Sequence, residues 1–172
     1  MPDFNPVLSK EEIEKAVAEL AQQISIDYHN REVVIIGVLK GAFIFLADLV
    51  RYLSIPVQID FVRLSSYGCN TETSGSICLT KELEIDITGR EVLVVEDIID
   101  TGLSLEFLLE HLKSKEPKSV RLCTLIDKRE RRDRQFTIDY VGRIVEQGFL
   151  VGYGLDYAEQ YRHLPAIYDL KL

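Results

Sequence analysis

The sequence predicts an α/β domain built on a mostly parallel sheet flanked by helices. Three observations carry that expectation. Short β-branched runs recur at Glu32 to Val38 (EVVIIGV), Glu91 to Val95 and Ser119 to Ile126 (SVRLCTLI), each reading as a strand buried on both faces. Helix-length apolar segments bounded by turn signals lie between them, in the order expected of βαβ units. The length of 172 residues suits one ordinary domain, residues 1–172, able to bury roughly two-thirds of the surface its unfolded chain exposes.

Ser9 and Glu12 form a capping box, and Ile13, Val17, Leu20 and Ile24 follow at helical spacing, so a first amphipathic helix is expected from Lys10 to Ile26. After the first strand, Leu39-Lys40-Gly41-Ala42 reads as a turn. The segment FIFLADLVRYL that follows is apolar nearly all round and reads as a buried helix. Pro56 then separates it from a strand at Val57 to Leu64. Residues 65–76 (SSYGCNTETSGS) change character, with almost nothing apolar, which marks a functional flap or a disordered insert. Ile77 to Ile87 reads as a short strand with a turn, and Gly89-Arg90 punctuates it. Glu91 to Val95 is the strongest strand, and Leu105, Leu108, Leu109 and Leu112 mark the next helix, which Pro117 stops before the last buried strand. The charge run Lys128 to Arg134 (KRERRDR) reads mostly as a solvated loop at a strand end, with Lys128 a separate case.

Composition narrows the partners. Against 20 bases the chain carries 28 acids, a net charge of −8, which disfavours a broad electrostatic grip on nucleic acid and favours a small-molecule ligand. No apolar run approaches a membrane span, and the N-terminus has neither a basic nor an apolar targeting region, so a soluble, cytoplasmic protein is expected. Three cysteines, Cys69, Cys78 and Cys123, with no CxxC pair, speak against a disulfide framework or a zinc site and for reduced thiols.

The most informative stretch is VVEDIIDTGLSL, Val94 to Leu105, which sets three acids in an apolar segment. Ionised acids are costly to bury without a partner. In an open α/β sheet, ligands bind beyond the carboxyl ends of the strands, where Glu96 and Asp97 fall. Asp100, Thr101, Gly102, Leu103 and Ser104 then turn into a helix whose N–H groups and positive dipole end suit a phosphate. Because carboxylates repel a phosphate, they should face neighbouring hydroxyls or a bound Mg²⁺ on the same ligand. A sugar phosphate with a vicinal diol meets both demands. Neither GxxxxGK[ST] nor GxGxxG occurs in the chain.

VVEDIIDTGLSL closely resembles the phosphoribosyl pyrophosphate (PRPP) motif of type I phosphoribosyltransferases. From Val33 to Leu164 the chain looks like the bacterial hypoxanthine-guanine members of that family. The resemblance implies the type I fold with a small hood lobe. It implies that Glu96 and Asp97 hold the ribose hydroxyls, directly or through Mg²⁺, and that Asp100 to Ser104 cradle the 5′-phosphate. Asp100 would also face N7 of a purine as general acid/base. Leu39, Lys40 and Gly41 match the pyrophosphate loop, in which family members adopt a non-proline cis peptide before the lysine position, and Arg162 resembles the pyrophosphate-binding arginine. Ser66 and Tyr67 match the mobile flap, whose closure excludes water. Lys128 matches the lysine that reads the exocyclic O6, Phe149 the aromatic that stacks on the base, the Leu150 backbone the position reading its edge, and Asp156 a second Mg²⁺ contact.

Two stretches depart from this pattern. Val145-Glu146-Gln147-Gly148 replaces the Ile-Pro-Asp usual shortly before the stacking Phe, and Arg129 stands where Pro often follows the purine-reading Lys. Both lie near the base pocket and bear on preference among hypoxanthine, guanine and xanthine.

The activity so implied is Mg²⁺-dependent transfer from PRPP to N9 of a 6-oxopurine, giving IMP or GMP and pyrophosphate in purine salvage, by a homodimer or homotetramer with no nucleic-acid or membrane partner. Two alternatives from other classes are weighed against it. A phospho-receiver domain would need an acid pair after the first strand, where Gly37-Val38-Leu39-Lys40 stands. An RNA-binding regulator that keeps the PRPP site would lack an acid at Asp100 and favour a basic surface.

Overall fold

The computed structural model describes residues 3–66 and 76–171. The chain runs β1 (Asp3–Leu8), α1 (Lys10–Asp27), β2 (Val33–Leu39), α2 (Phe43–Tyr52), β3 (Val57–Ser65), β4 (Cys78–Lys81), β5 (Glu91–Ile99), α3 (Leu103–Lys113), β6 (Ser119–Lys128), β7 (Tyr140–Val145), β8 (Leu150–Val151) and β9 (Ile167–Lys171). The larger sheet has the order β4-β3-β2-β5-β6-β7, with every neighbouring pair parallel except β4 on β3. A smaller antiparallel sheet, β1-β9-β8, makes the hood lobe. The α/β class with a mostly parallel sheet is as the sequence predicts.

Strand alternation sorts the core into two layers. Val33, Ile35, Leu93 and Val95 pack with the stripes of α1 and α2 on one face of the sheet. Val34, Ile36, Val92 and Val94 pack with Leu105, Leu108 and Leu112 of α3 on the other. The hood joins the first layer through Leu8, Leu150, Tyr153, Leu155 and Ile167. Helix α1 starts as its sequence predicts: Ser9 Oγ accepts from the Glu12 N–H at 3.1 Å while the Glu12 carboxylate accepts from the Ser9 N–H at 2.8 Å.

Three expectations are corrected, and four strands lie outside them. Helix α2 is not buried all round: Phe45, Leu46 and Leu49 face the core, whereas Phe43 and Tyr52 are exposed. Strand β5 does not end at Val95, because Glu96, Ile98 and Ile99 continue to pair with Thr124, Ile126 and Asp127 of β6. The hood strands β1, β8 and β9 and the edge strand β7 carry no strong periodic signal and were not expected individually. Cys123 is a buried free thiol as expected, but Cys78 is disulfide-bonded.

Candidate active site

A cleft of about 460 Å³ opens beyond the carboxyl ends of β2, β5 and β6, where a doubly wound sheet places its ligands. Its walls include Lys40, Gly41, Glu96, Asp97, Asp100, Thr101, Gly102, Ser104, Lys128, Phe149, Leu150, Asp156 and Arg162. Residues far apart in sequence are therefore gathered into one cavity. Of the other expected residues, the Leu103 side chain is exposed on α3, Ser66 is exposed at the end of β3, and Tyr67 lies outside the described residues.

The turn into α3 is shaped by Gly102, which adopts φ 87° as the residue preceding the helix. A side chain there would collide with the Phe136 ring, 2.7 Å from where a Cβ would stand. The glycine thus satisfies both the left-handed backbone and the close approach. Gly102 offers α3 no side-chain cap, and the N–H groups of the first turn lie at the cleft end of the helix. Thr101 Oγ1 accepts from the Leu103 N–H at 3.4 Å.

Asp100 stands between this turn and the lysine at the end of β6. Lys128 Nζ lies 3.5 Å from Asp100 Oδ2, and the Lys128 side chain is buried apart from its approach to the cleft. Arg131 pairs with the same carboxylate oxygen. Among the described residues, Asp100 Oδ1 is buried without a hydrogen-bond partner, leaving an acceptor unused.

Glu96 and Asp97 leave β5 half-buried and buried respectively. The Asp97 N–H donates to Glu96 Oε1 at 3.1 Å, and the Ile98 N–H donates to Asp97 Oδ1 at 2.9 Å. Burial, reinforced by the Asp97 charge, pushes the Glu96 carboxyl well above its ordinary value; burial also pushes Asp97 up. Two adjacent acids short of positive charge suit a cation or a polyol. Among the described residues no group of three acidic, histidine or cysteine side chains gathers around a point. The Glu96 and Asp97 pair could take Mg²⁺, which binds through one or two carboxylates and completes its shell with water and substrate phosphates.

The opposite wall is cationic. The Leu39–Lys40 peptide is cis, as the family resemblance implies. Lys40 Nζ pairs with Glu159 Oε2 at 2.8 Å. Arg162 donates from Nη1 to the Gly154 carbonyl at 2.7 Å, and its Nη2 pairs with Asp156 at 2.9 Å and with Glu159 at 3.2 Å. Among the described residues, Arg162 Nε is buried without a partner, an unused donor beside the cleft. Asp156 is thus engaged by Arg162 and by the Glu159 N–H at 2.8 Å. At the mouth, Phe149 is 46% exposed and meets Tyr157 edge to face, with centroids 5.5 Å apart, while Leu150 is buried.

Residues 5–158 match the model of the phosphoribosyl transferase domain family. The chain belongs to the phosphoribosyltransferase family. It is 47% identical over 163 residues to a hypoxanthine-guanine phosphoribosyltransferase of Aquifex aeolicus, covering 94% of this chain and 92% of that protein. It is 44% identical to the one of Bacillus subtilis over 165 residues, 96% of this chain and 92% of that protein. A crystal structure of a hypoxanthine-guanine phosphoribosyltransferase from Bacillus anthracis, with a HEPES molecule in its active site, superposes with a TM-score of 0.92 at 45% identity over the full length of both chains.

Within this phosphoribosyltransferase, the run Lys128 to Arg134 is more than the solvated loop its charge suggested. Arg132 donates to the carbonyls of Asp100 at 2.9 Å, Ile99 at 3.2 Å and Lys128 at 3.2 Å, and pairs with buried Asp127. The N–H groups of Asp133 and Arg134 donate to the Thr101 carbonyl at 3.0 and 3.2 Å. The loop clamps the turn into α3 from outside. Its one sequence signal is position, directly after a strand whose carboxyl end faces the ligand. Glu159, which bridges Lys40 and Arg162, carries no such signal.

Proposed function

We propose that this phosphoribosyltransferase transfers the 5-phosphoribosyl group of PRPP to N9 of a 6-oxopurine, hypoxanthine or guanine, releasing pyrophosphate and IMP or GMP. The observation that carries this reading is the meeting of Lys128 with Asp100 at 3.5 Å, which joins a base-facing cation to the turn suited to a phosphate. A cation opposite the 6-position favours an exocyclic oxygen over the amino group of adenine, which would present a donor to a donor.

Each side chain then has a task. Residues 100–104 receive the 5′-phosphate on the N–H groups of α3. Glu96 and Asp97 accept from the ribose hydroxyls, and Lys40, Gly41 and Arg162 receive the pyrophosphate. Phe149 stacks on the base, and the Leu150 backbone reads its edge. Asp100 exchanges a proton with N7, adjusting the imidazole as N9 forms its bond. Ser66 and Tyr67, in the flap of residues 65–76, cover the reacting carbon from water.

Glu96 and Asp97 would hold Mg²⁺ and Asp156 would make a second Mg²⁺ contact; the metal would supply positive charge opposite the departing pyrophosphate. Fixed donors at both ends of the sugar hold its phosphate groups in place, so the negative charge that builds on the departing pyrophosphate meets an electrostatically preorganised site. The chain works as one domain in the cytoplasm, as a homodimer or homotetramer; among the described residues no helix is long and apolar enough to cross a membrane.

The test is pyrophosphate release from PRPP and Mg²⁺ with hypoxanthine, guanine, xanthine, adenine and uracil supplied separately. Turnover confined to 6-oxopurines is expected. PRPP binding without turnover on any base would overturn the reading in favour of a regulator.

A further inference from the structure

The base wall is held by a residue beyond the reach of the sequence motifs. Strand β8 pairs with β9 in antiparallel register, with Leu150 opposite Asp169. The Asp169 side chain turns back past its partner: its Oδ1 accepts from the Phe149 N–H at 2.8 Å. The Leu170 N–H donates to the Phe149 carbonyl at 2.8 Å, so both backbone groups of Phe149 are fixed by β9. These bonds leave the Phe149 side chain projecting at the cleft while its backbone is immobilised.

Gly148 makes the approach possible. It adopts φ 118°, and a Cβ there would stand 3.0 Å from both Cγ and Oδ1 of Asp169. This glycine closes the stretch Val145 to Gly148, where the chain departs from the pattern it otherwise resembles. A backbone turn that only glycine readily adopts thus delivers the Phe149 N–H to the carboxylate. Lys171 pairs with Asp169 Oδ2 at 2.7 Å, leaving Oδ1 to Phe149. The Lys171 ammonium ahead of all other causes, then the Phe149 N–H and the more distant Lys128 charge, holds the Asp169 carboxyl below its usual range against burial.

We propose that Asp169 is a positioning residue for the purine site, fixing Phe149 and the adjoining Leu150 backbone so that the base meets a preset stacking face and edge. The inference rests on the reading of Phe149 and Leu150 as base contacts. Preset geometry at a binding site lowers the ordering cost of each encounter, so its loss falls on the base rather than on the sugar phosphate.

The test compares Asp169→Ala, Asp169→Asn and Gly148→Ala by steady-state kinetics with hypoxanthine and PRPP, with thermal melting as a check on folding. Asp169→Ala should raise the KM for hypoxanthine about tenfold, the scale of one lost hydrogen bond to a charged acceptor, with the KM for PRPP unchanged. Asp169→Asn keeps an oxygen acceptor and should restore most of the base affinity. Gly148→Ala should mimic Asp169→Ala by forcing the loop off the carboxylate. Unchanged base KM, an equal rise in both KM values, or Asn behaving like Ala would each overturn the inference. Phe149→Ala separates the two levels: if it leaves the base KM unchanged, the base-site reading itself fails.

Discussion

The backbone of Gly41 lies so close to the Asp97 carboxylate that a methyl group on it would meet Oδ2 at 2.0 Å. Gly41 and the Asp97 carboxylate are therefore in packed contact at the base of the cleft, where the lysine-glycine loop meets β5. Gly154 continues the contact, since a Cβ there would stand 2.2 Å from the Gly41 carbonyl. Gly41→Ala must displace either the loop or the carboxylate. Overpacking of this kind costs about 1–3 kcal/mol, equivalent to a roughly five- to 150-fold loss in kcat/KM for PRPP if it falls on the bound state. Steady-state kinetics with PRPP varied checks this; an unaltered KM and kcat would show that the loop yields freely.

Asp100 has one oxygen engaged by Lys128 and Arg131 and the other buried without a partner. Asp100→Asn preserves shape and removes the carboxylate that could exchange a proton with the base. Loss of a general acid/base lowers turnover by roughly 10²–10⁴-fold. The expected result is a fall of that order in kcat with little change in PRPP affinity, measured by calorimetric titration of PRPP with Mg²⁺. Parallel losses in both would assign Asp100 to phosphate binding alone.

Much of this architecture was legible because periodicity and caps are local. The Ser9 and Glu12 cap, the buried strands and the TGLS turn each specify their own backbone. What escaped depends on partners distant in sequence. Strand β9 reads as five unremarkable residues, IYDLK, until β1 and β8 flank it, and β1 contains a proline that local rules discount. The exposure of Phe43 follows from where α2 docks, which its uniformly apolar sequence does not encode. The apolar run ending at Val95 places Glu96 and Asp97 at a strand end, yet the strand continues past them because β6 extends to Lys128 and keeps pairing. The site's chemistry was visible in residue types, whereas the arginine clamp and Asp169 are visible only in three dimensions.

Arg132 ties the turn into α3 to buried Asp127 while donating to the Asp100, Ile99 and Lys128 carbonyls. Arg132→Ala would leave Asp127 with Arg129, at 3.2 Å, as its remaining cation. The expected destabilisation is below the roughly 3–5 kcal/mol of breaking a buried pair outright, because that second arginine persists. Urea denaturation measures it. Because the lost bonds end at the Asp100 carbonyl, the KM for PRPP should rise as well, and a stability loss with unchanged PRPP kinetics would make Arg132 purely structural.

Asp60 anchors the segment between β4 and β5. Its Oδ2 accepts from the N–H groups of Glu84 at 2.7 Å and Ile85 at 2.9 Å, its Oδ1 from that of Phe61 at 2.7 Å, and Lys81 Nζ lies 3.6 Å away. Burial pushes the Asp60 carboxyl up, but these three donors and the Lys81 charge outweigh it and hold it below its ordinary value. A carboxylate whose folded pKa is depressed binds its proton more readily in the unfolded chain. Its contribution is therefore fully present above the unfolded value of about 3.9 and disappears as pH falls through the lower folded value. Asp60→Asn should cost roughly 1.5–3 kcal/mol at neutral pH, the scale of hydrogen bonds to a charged acceptor. The gap between wild type and variant should then narrow below about pH 4, because only the wild type has a charge there to lose. Urea midpoints across that range read it directly: a gap that holds constant into acid would mean that shape, rather than the carboxylate's charge, sets the contribution of Asp60.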